Sequence, residues 1–142
     1  MPSARFRRKA LPCALLALAL ALPQGARGQQ DGARIFQEAC AGCHGMAAQG
    51  DGPTAALLTV DVPDLTRIAW RNDGVFDAAR VVRLIDGREG LAAHGGPMPL
   101  FGGLLTGPSA VLDGPEGTPV TTTEPILAIV RWLETQQVEE SE

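Results

Sequence analysis

Cys40, Cys43 and His44 form the pattern Cys-x-x-Cys-His, which limits the chain to a few kinds of site. Two thiols and an imidazole at this spacing suit covalent haem attachment, a thiol–disulfide switch or part of a zinc site. Each of these chemistries needs a different surrounding sequence, so the rest of the chain decides among them.

The N-terminal segment predicts export. A basic run, an apolar run and a small-residue exit follow one another within residues 1–28, which is the order of a secretory signal peptide. The apolar run, residues 10–22, is shorter than the roughly 20 residues that span a bilayer. We therefore expect cleavage near Gly28, a soluble exported domain over residues 29–142 and no stable membrane insertion.

Charge and cysteine content narrow the partners and the source of stability. Residues 29–142 carry seven arginines, no lysine and sixteen carboxylates, which leaves a net charge of −9. Nucleic-acid binding needs clustered cations facing phosphate, so this balance argues against it. The two cysteines of the motif are the only ones in this part of the chain, which excludes a disulfide framework. A domain this small commonly relies on a metal or a cofactor instead.

Apolar periodicity predicts three helices, at about residues 31–40, 74–87 and 124–137. Asp31 is a good N-cap for the first helix, and Asn72 or Asp73 for the second, which Gly87 ends. Pro125 lies in the first turn of the third helix, where proline is tolerated.

Segments rich in Gly and Pro separate these helices, and we predict that they form loops over residues 50–66, 87–103 and 104–123. They show no strand alternation of useful length. Such long loops are unusual in a compact domain, unless they wrap a rigid object that the sequence does not encode.

The surroundings of the motif favour haem. A thioredoxin-like switch places its cysteines at a helix N-terminus after a strand, whereas here a helix is predicted before the motif. A structural zinc site needs four ligands, and adjacent Cys43 and His44 would reach one ion with difficulty even if His94 joined them. Covalent haem uses all three residues, because two thiols bind the porphyrin edge and the imidazole binds the iron. Zinc and dithiol chemistry stay as alternatives.

Five segments follow one another along the chain: GARIFQEACAGCHG, GDGP, PDLT, GPMPLFGG and ILAIVRWLE. Their order and spacing resemble the monohaem class I cytochromes c, in particular the bacterial periplasmic kind. The resemblance implies an all-α fold of three to five short helices and long loops, wrapped around one covalently bound haem c. Cys40 and Cys43 would hold this haem as thioethers, and His44 would bind its iron.

A six-coordinate haem needs a second axial ligand. Met98 lies in the segment GPMPLFGG, where glycines allow the backbone to approach a ring and the flanking prolines stiffen the loop. In the family, the residue at this place is the distal ligand. His94 is the alternative. Met46 is tethered close to His44 on the proximal side, so we expect it to serve in packing.

The resemblance and the chemistry of haem suggest further contacts. Pro53 of GDGP matches the family position whose carbonyl accepts a hydrogen bond from the proximal histidine. Haem propionates are anionic and need donors, for which Trp70, Arg67, Arg71 and Arg88 are candidates.

The resemblance also predicts how the first and last helices pack, and it indicates that residues 101–123 are an insertion. Gly32 and Phe36 resemble the first-helix pair of the family, and Ile129 and Trp132 resemble the last-helix residues that pack against this pair. Residues 101–123 exceed what a minimal member of the family needs. We expect a solvated insertion there, with a partner-docking loop as the alternative.

Ligation by His44 and Met98 would leave no iron position open for a substrate. We therefore expect a monomeric electron carrier, not an enzyme, that exchanges electrons with redox protein partners. Two alternatives remain. One is a haem sensor or enzyme with an open or labile sixth position, and the other is an electron-accepting subunit of a periplasmic dehydrogenase.

Overall fold

Four α-helices and one β-hairpin form the main regular structure of residues 24–89 and 98–138, the parts of the chain that the computed structural model describes. The helices are α1 (Gln24–Ala39), α2 (Ala41–His44), α3 (Ala78–Asp86) and α4 (Glu124–Thr135), and the strands are β1 (Ser109–Asp113) and β2 (Pro119–Thr123). Short 3-10 turns occupy several connections. The prediction of short helices joined by long loops is confirmed. Within these described ranges, no helix has the length and apolar character needed to cross a membrane.

Some helix ends agree with the sequence prediction, but the starts of α1 and α3 do not. α1 already runs from Gln24, so Asp31 lies inside the helix and the prediction that it caps the first turn is wrong. Gly87 ends α3 as predicted, with a φ of 89° that favours a residue without a Cβ. α4 begins at Glu124 with Pro125 in its first turn, also as predicted.

The start of α3 differs from the prediction. Its N-cap is Asp77, whose carboxylate accepts a hydrogen bond from the Arg80 backbone amide at 2.8 Å. Asn72 closes the preceding turn instead, because its side-chain amide donates to the Val75 carbonyl at 2.8 Å. Asp73 lies in that turn with a left-handed φ of 51°. A capping side chain reaches only its own helical turn, so Asp77 takes the role predicted for Asn72 or Asp73.

The crossing of α1 and α4 forms the centre of the core. A Cβ at Gly32 would collide with the Ala128 carbonyl, so glycine is what lets the two helices come this close. One turn further on, the centroid of the Phe36 ring lies 4.6 Å from that of Trp132. Ile129 is fully buried in the same cluster. The predicted packing between the first and last helices is confirmed.

The segment predicted to be a loop before α4 contains the hairpin. β1 and β2 pair antiparallel, with Leu112 opposite Val120 and Ala110 opposite Thr122. Ala110, Val120 and Thr122 are buried, whereas Val111 between them is exposed, so one face of the hairpin packs inward. Val and Thr favour such a half-buried strand. The prediction of a loop over residues 104–123 is therefore wrong, because the Gly and Pro residues of the turns masked a short alternating pattern. Most of residues 101–123 are exposed, as expected of a solvated insertion, but the hairpin packs one face inward.

Candidate functional site

A cavity of about 410 Å³ lies between the helices and the loops. This volume falls in the range of small-molecule and cofactor sites. Its wall is mainly apolar, with side chains from a long loop, α3 and α4 that include Val60, Leu65, Ile68, Leu84, Ile85 and Leu133. Such a wall keeps water away from whatever occupies the cavity.

The haem-attachment motif forms one part of the wall. Cys40, Cys43 and His44 all line the cavity. α2 is a single turn, and the His44 backbone amide donates to the Cys40 carbonyl at 3.0 Å, which brings the three side chains to the same side. His44 is only 9% exposed, and its ring centroid lies 6.5 Å from that of Phe36.

Cys40 and Cys43 do not form a disulfide with each other. Burial raises the pKa of the Cys40 thiol to about 11, and the neighbouring Cys43 adds to this effect. A free Cys40 thiol would therefore stay protonated at neutral pH. The apolar cavity, the two thiols and the imidazole together fit a covalently attached haem.

The loop after the motif, residues 52–54, is hydrogen-bonded to the single helical turn that carries the motif. The Gly52 amide donates to the Cys43 carbonyl at 3.1 Å, and Thr54 donates to the Gly42 carbonyl from both its amide, at 2.9 Å, and its hydroxyl, at 2.6 Å. The Thr54 hydroxyl also lies 3.2 Å from the Cys43 sulfur. Pro53 lies between these two anchors and is exposed, away from the cavity wall. Its hydrogen bond with His44 stays a prediction.

Met98 lies half-buried on the cavity wall, together with Pro99 and Phe101. The structure thus brings Met98 to the same cavity as the motif, more than fifty residues away in sequence. His94, the alternative ligand, lies outside the described residues. Met46 is 63% exposed and does not line the cavity, so the expectation that it serves in packing is wrong.

Of the predicted propionate donors, Arg71 lines the cavity and the other three do not. Arg71 lines the cavity, and its guanidinium Nη2 donates to the Asp64 carbonyl at 2.8 Å, which fixes its direction. Arg67 lies over the Trp70 ring, 5.5 Å from its centroid. Both residues of that pair are exposed, and neither lines the cavity. Arg88 bonds elsewhere, to the Asp86 carboxylate.

Several residues that line the cavity were not predicted from the sequence. Arg80 in the first turn of α3 lines the cavity, although it was not predicted to bind haem. Val81, Leu84 and Ile85 line it from the same helix. Their i, i+3, i+4 spacing was a usable signal, because α3 carries this second apolar stripe beside the buried core residue Val82. A short helix that is apolar on two faces is typical of one placed between a core and a cofactor.

The short helices, the long loops and the thiol- and imidazole-lined cavity define a c-type haem protein. The chain belongs to the cytochrome c family, since the family model described as Cytochrome c matches residues 29–107. It therefore has the cytochrome c fold and carries covalently attached haem c, and the family serves in electron transfer. No curated protein and no solved structure matches the chain.

Proposed function

We propose that this chain is a periplasmic monohaem class I cytochrome c that carries single electrons. Cys40 and Cys43 would hold the haem as thioethers, and His44 and Met98 would supply the two protein ligands of its iron. One observation carries the proposal: these four side chains line a single apolar cavity. When bound, the haem supplies Fe(III)/Fe(II) cycling.

The protein residues set how this redox centre behaves. His44 and Met98 would both bind the iron and leave no iron position for a substrate, so the protein would act as a carrier and not as an enzyme. A thioether ligand and a wall of side chains such as Leu84 and Ile85 disfavour the extra positive charge of the oxidised state. Both features raise the reduction potential.

Pro53 and Arg71 have supporting roles. The Pro53 carbonyl accepts the hydrogen bond of His44 and fixes the imidazole plane. This assignment is supported by the bonds of Gly52 and Thr54, which dock the Pro53 loop onto the motif. Arg71 pairs with a haem propionate, since it is the predicted donor that lines the cavity.

The cellular setting follows from the sequence. Residues 1–28 act as a signal peptide that is removed near Gly28, and residues 29–142 form the exported domain. The domain works as a monomer and exchanges electrons with redox proteins in transient complexes. Because it has no lysine and a net charge of −9, its partners do not rely on a lysine ring for docking.

Carbon monoxide distinguishes this proposal from a sensor or an enzyme. The full chain is coexpressed with a cytochrome c maturation system, and the purified ferrous protein is exposed to carbon monoxide. We expect a low-spin spectrum that the gas leaves unchanged, a haem that resists acid–acetone extraction, and a periplasmic product that begins at or near Gln29 by mass.

Met98→Ala provides the control, because it opens the sixth position and must bind carbon monoxide. A parent protein that binds the gas as readily as this variant would refute the carrier and support an open-site sensor or enzyme. A parent that copurifies with a larger chain would indicate a dehydrogenase subunit.

A further inference from the structure

The hairpin and the stretch that follows Met98 both contact the C-terminal end of α3. Arg88 links the hairpin to this end. Its guanidinium Nε donates to the Asp86 carboxylate at 2.8 Å, and its Nη2 donates both to that carboxylate and, at 2.8 Å, to the Thr121 carbonyl of β2. The Asp86 side chain is only 10% exposed, so water screens this ion pair less than a surface pair. Arg88 therefore ties the hairpin to the end of α3.

Residues 98–108, the Met98 stretch, pack on the same end of α3. A Cβ at Gly102 would lie 2.6 Å from the Asp86 carbonyl oxygen, and a Cβ at Gly87 would lie 2.7 Å from Cδ2 of Leu100. A larger side chain at Gly102 would not allow its approach to this backbone oxygen, whereas the flexible end of Leu100 can shift away from a Cβ at Gly87. The Met98 stretch is thus in direct contact with the residue that Arg88 binds.

The far end of this stretch is fixed to the junction of β2 and α4. The Thr123 hydroxyl donates to the Leu105 carbonyl at 2.7 Å, and the Glu124 amide donates to the Pro108 carbonyl at 2.9 Å. Residues 98–108 are therefore held both at the end of α3 and at the end of the hairpin. Both strands lie beyond residues 29–107, the part that the family model matches.

We propose that Arg88 is a positioning residue that couples the hairpin to the end of α3 and thereby keeps Met98 in place as the sixth ligand. The inference rests on the proposed ligation by Met98. An ordered loop has already lost the conformational entropy that ligation by a single neutral sulfur would otherwise have to offset. A planar guanidinium can serve two acceptors at fixed angles, whereas a lysine ammonium is a point charge on a flexible stem.

Imidazole competition on the ferric holoprotein tests the role of Arg88, because added imidazole must displace Met98. We expect Arg88→Leu to bind imidazole about tenfold more tightly than the parent, the effect of losing one charged hydrogen bond. Arg88→Lys lies between the two. Arg34→Leu is the matched control, since it also removes an arginine–carboxylate pair, with Glu38, but lies on α1. We expect it to stay within about twofold of the parent.

Amide hydrogen exchange gives a readout that does not depend on the iron. The Leu104 and Leu105 amides both donate to the Phe101 carbonyl, at 3.0 and 2.8 Å. In Arg88→Leu we expect these two amides to exchange about tenfold faster, while the amides of α1 and α4 keep their protection. Asp86→Asn weakens the same link with little change of shape, and it must act in the same direction even if Arg88→Leu folds poorly.

The outcomes separate this inference from the proposed function. If the parent shows the red sulfur-to-iron band but both Arg88→Leu and Asp86→Asn match Arg34→Leu in imidazole affinity and exchange, the positioning role is refuted and the ligation stands. If the parent shows no such band, ligation by Met98 is refuted, and the positioning of a ligand is refuted with it.

Discussion

The two walls of the cavity, one carrying His44 and the other carrying Met98, are held in place by different means. Behind His44, α1 crosses α4 through Gly32, Phe36 and Trp132, a buried contact between two regular helices. Behind Met98, irregular backbone is tied by single hydrogen bonds and close approaches at glycines. The first wall depends on burial of apolar area, and the second on a few polar links, so we expect the two to respond very differently to mutation.

Phe36→Ala has the largest expected effect, because it empties the centre of the helix crossing. Phe36 is 1% exposed, and a buried phenylalanine truncated to alanine costs about 3–5 kcal/mol of unfolding free energy. Chemical denaturation of the holoprotein measures this loss. Leu57→Ala, at a side chain 82% exposed, serves as the control and should change stability by less than about 0.5 kcal/mol. Similar losses in the two variants would contradict the account of the His44 wall.

Gly32→Ala should be the next most costly change, although alanine is the better helix former. Its Cβ would collide with the Ala128 carbonyl and lie 2.9 Å from Cβ of Trp132. We expect the overpacking, about 1–3 kcal/mol, to exceed the gain of about 1 kcal/mol in helix propensity. Gly103→Ala is the matched control on the other wall, where nothing lies within 4 Å of the new Cβ. A Gly32→Ala protein that melts above the parent would disprove the close crossing.

Thr123→Val probes the Met98 wall with a smaller expected effect. It keeps the β-branched shape but removes the hydroxyl that donates to the Leu105 carbonyl, so we expect a loss of about 1 kcal/mol. Faster amide exchange at Leu105, without a change in α1, is the measurement. Thr121→Val is the control, because no hydrogen bond of the Thr121 hydroxyl occurs among the described residues. Equal exchange in both variants would show that the hydroxyl does not hold the loop.

The smallest effects are expected from substitutions of the surface arginines Arg71 and Arg67. We expect these substitutions to change the reduction potential. Arg71→Gln removes a positive charge from the cavity wall, which favours the oxidised state and lowers the potential by about 20–60 mV. Arg67→Gln, away from that wall, should change it by less than about 10 mV. Protein-film voltammetry distinguishes the two. An equal or larger shift for Arg67→Gln would instead support the sequence-based prediction that Arg67 binds a propionate.

The sequence predicted the His44 wall well because its contacts follow regular spacings. Gly32 and Phe36 lie four residues apart on one helix, and the motif itself fixes which side chains share a turn. The periodic pattern also predicted α4 almost to its ends. Capping was harder to assign, since Asp77 and Asn72 are both good N-caps and only the geometry decides between them.

The contacts that hold the Met98 wall in place could not be predicted from the sequence, because they are long-range and use backbone carbonyls. Nothing in the sequence around Arg88 indicates that its guanidinium reaches a carbonyl 33 residues away. The hairpin was missed for a related reason: its strands are five residues each, and pairing stabilises them only once both lie against the helices. Similarly, the sequence offered several arginines for the propionates, but only the fold separates Arg71 and Arg80, which line the cavity, from Arg67.

If both walls supply a ligand to one iron, the ferric protein must show the red sulfur-to-iron absorption band. Met98→Ala and Met46→Ala form a matched pair, since Met46 is 63% exposed and does not line the cavity. We expect the band in the parent and in Met46→Ala, and its loss in Met98→Ala. A parent without the band, or a Met98→Ala protein that retains it, would contradict ligation by Met98.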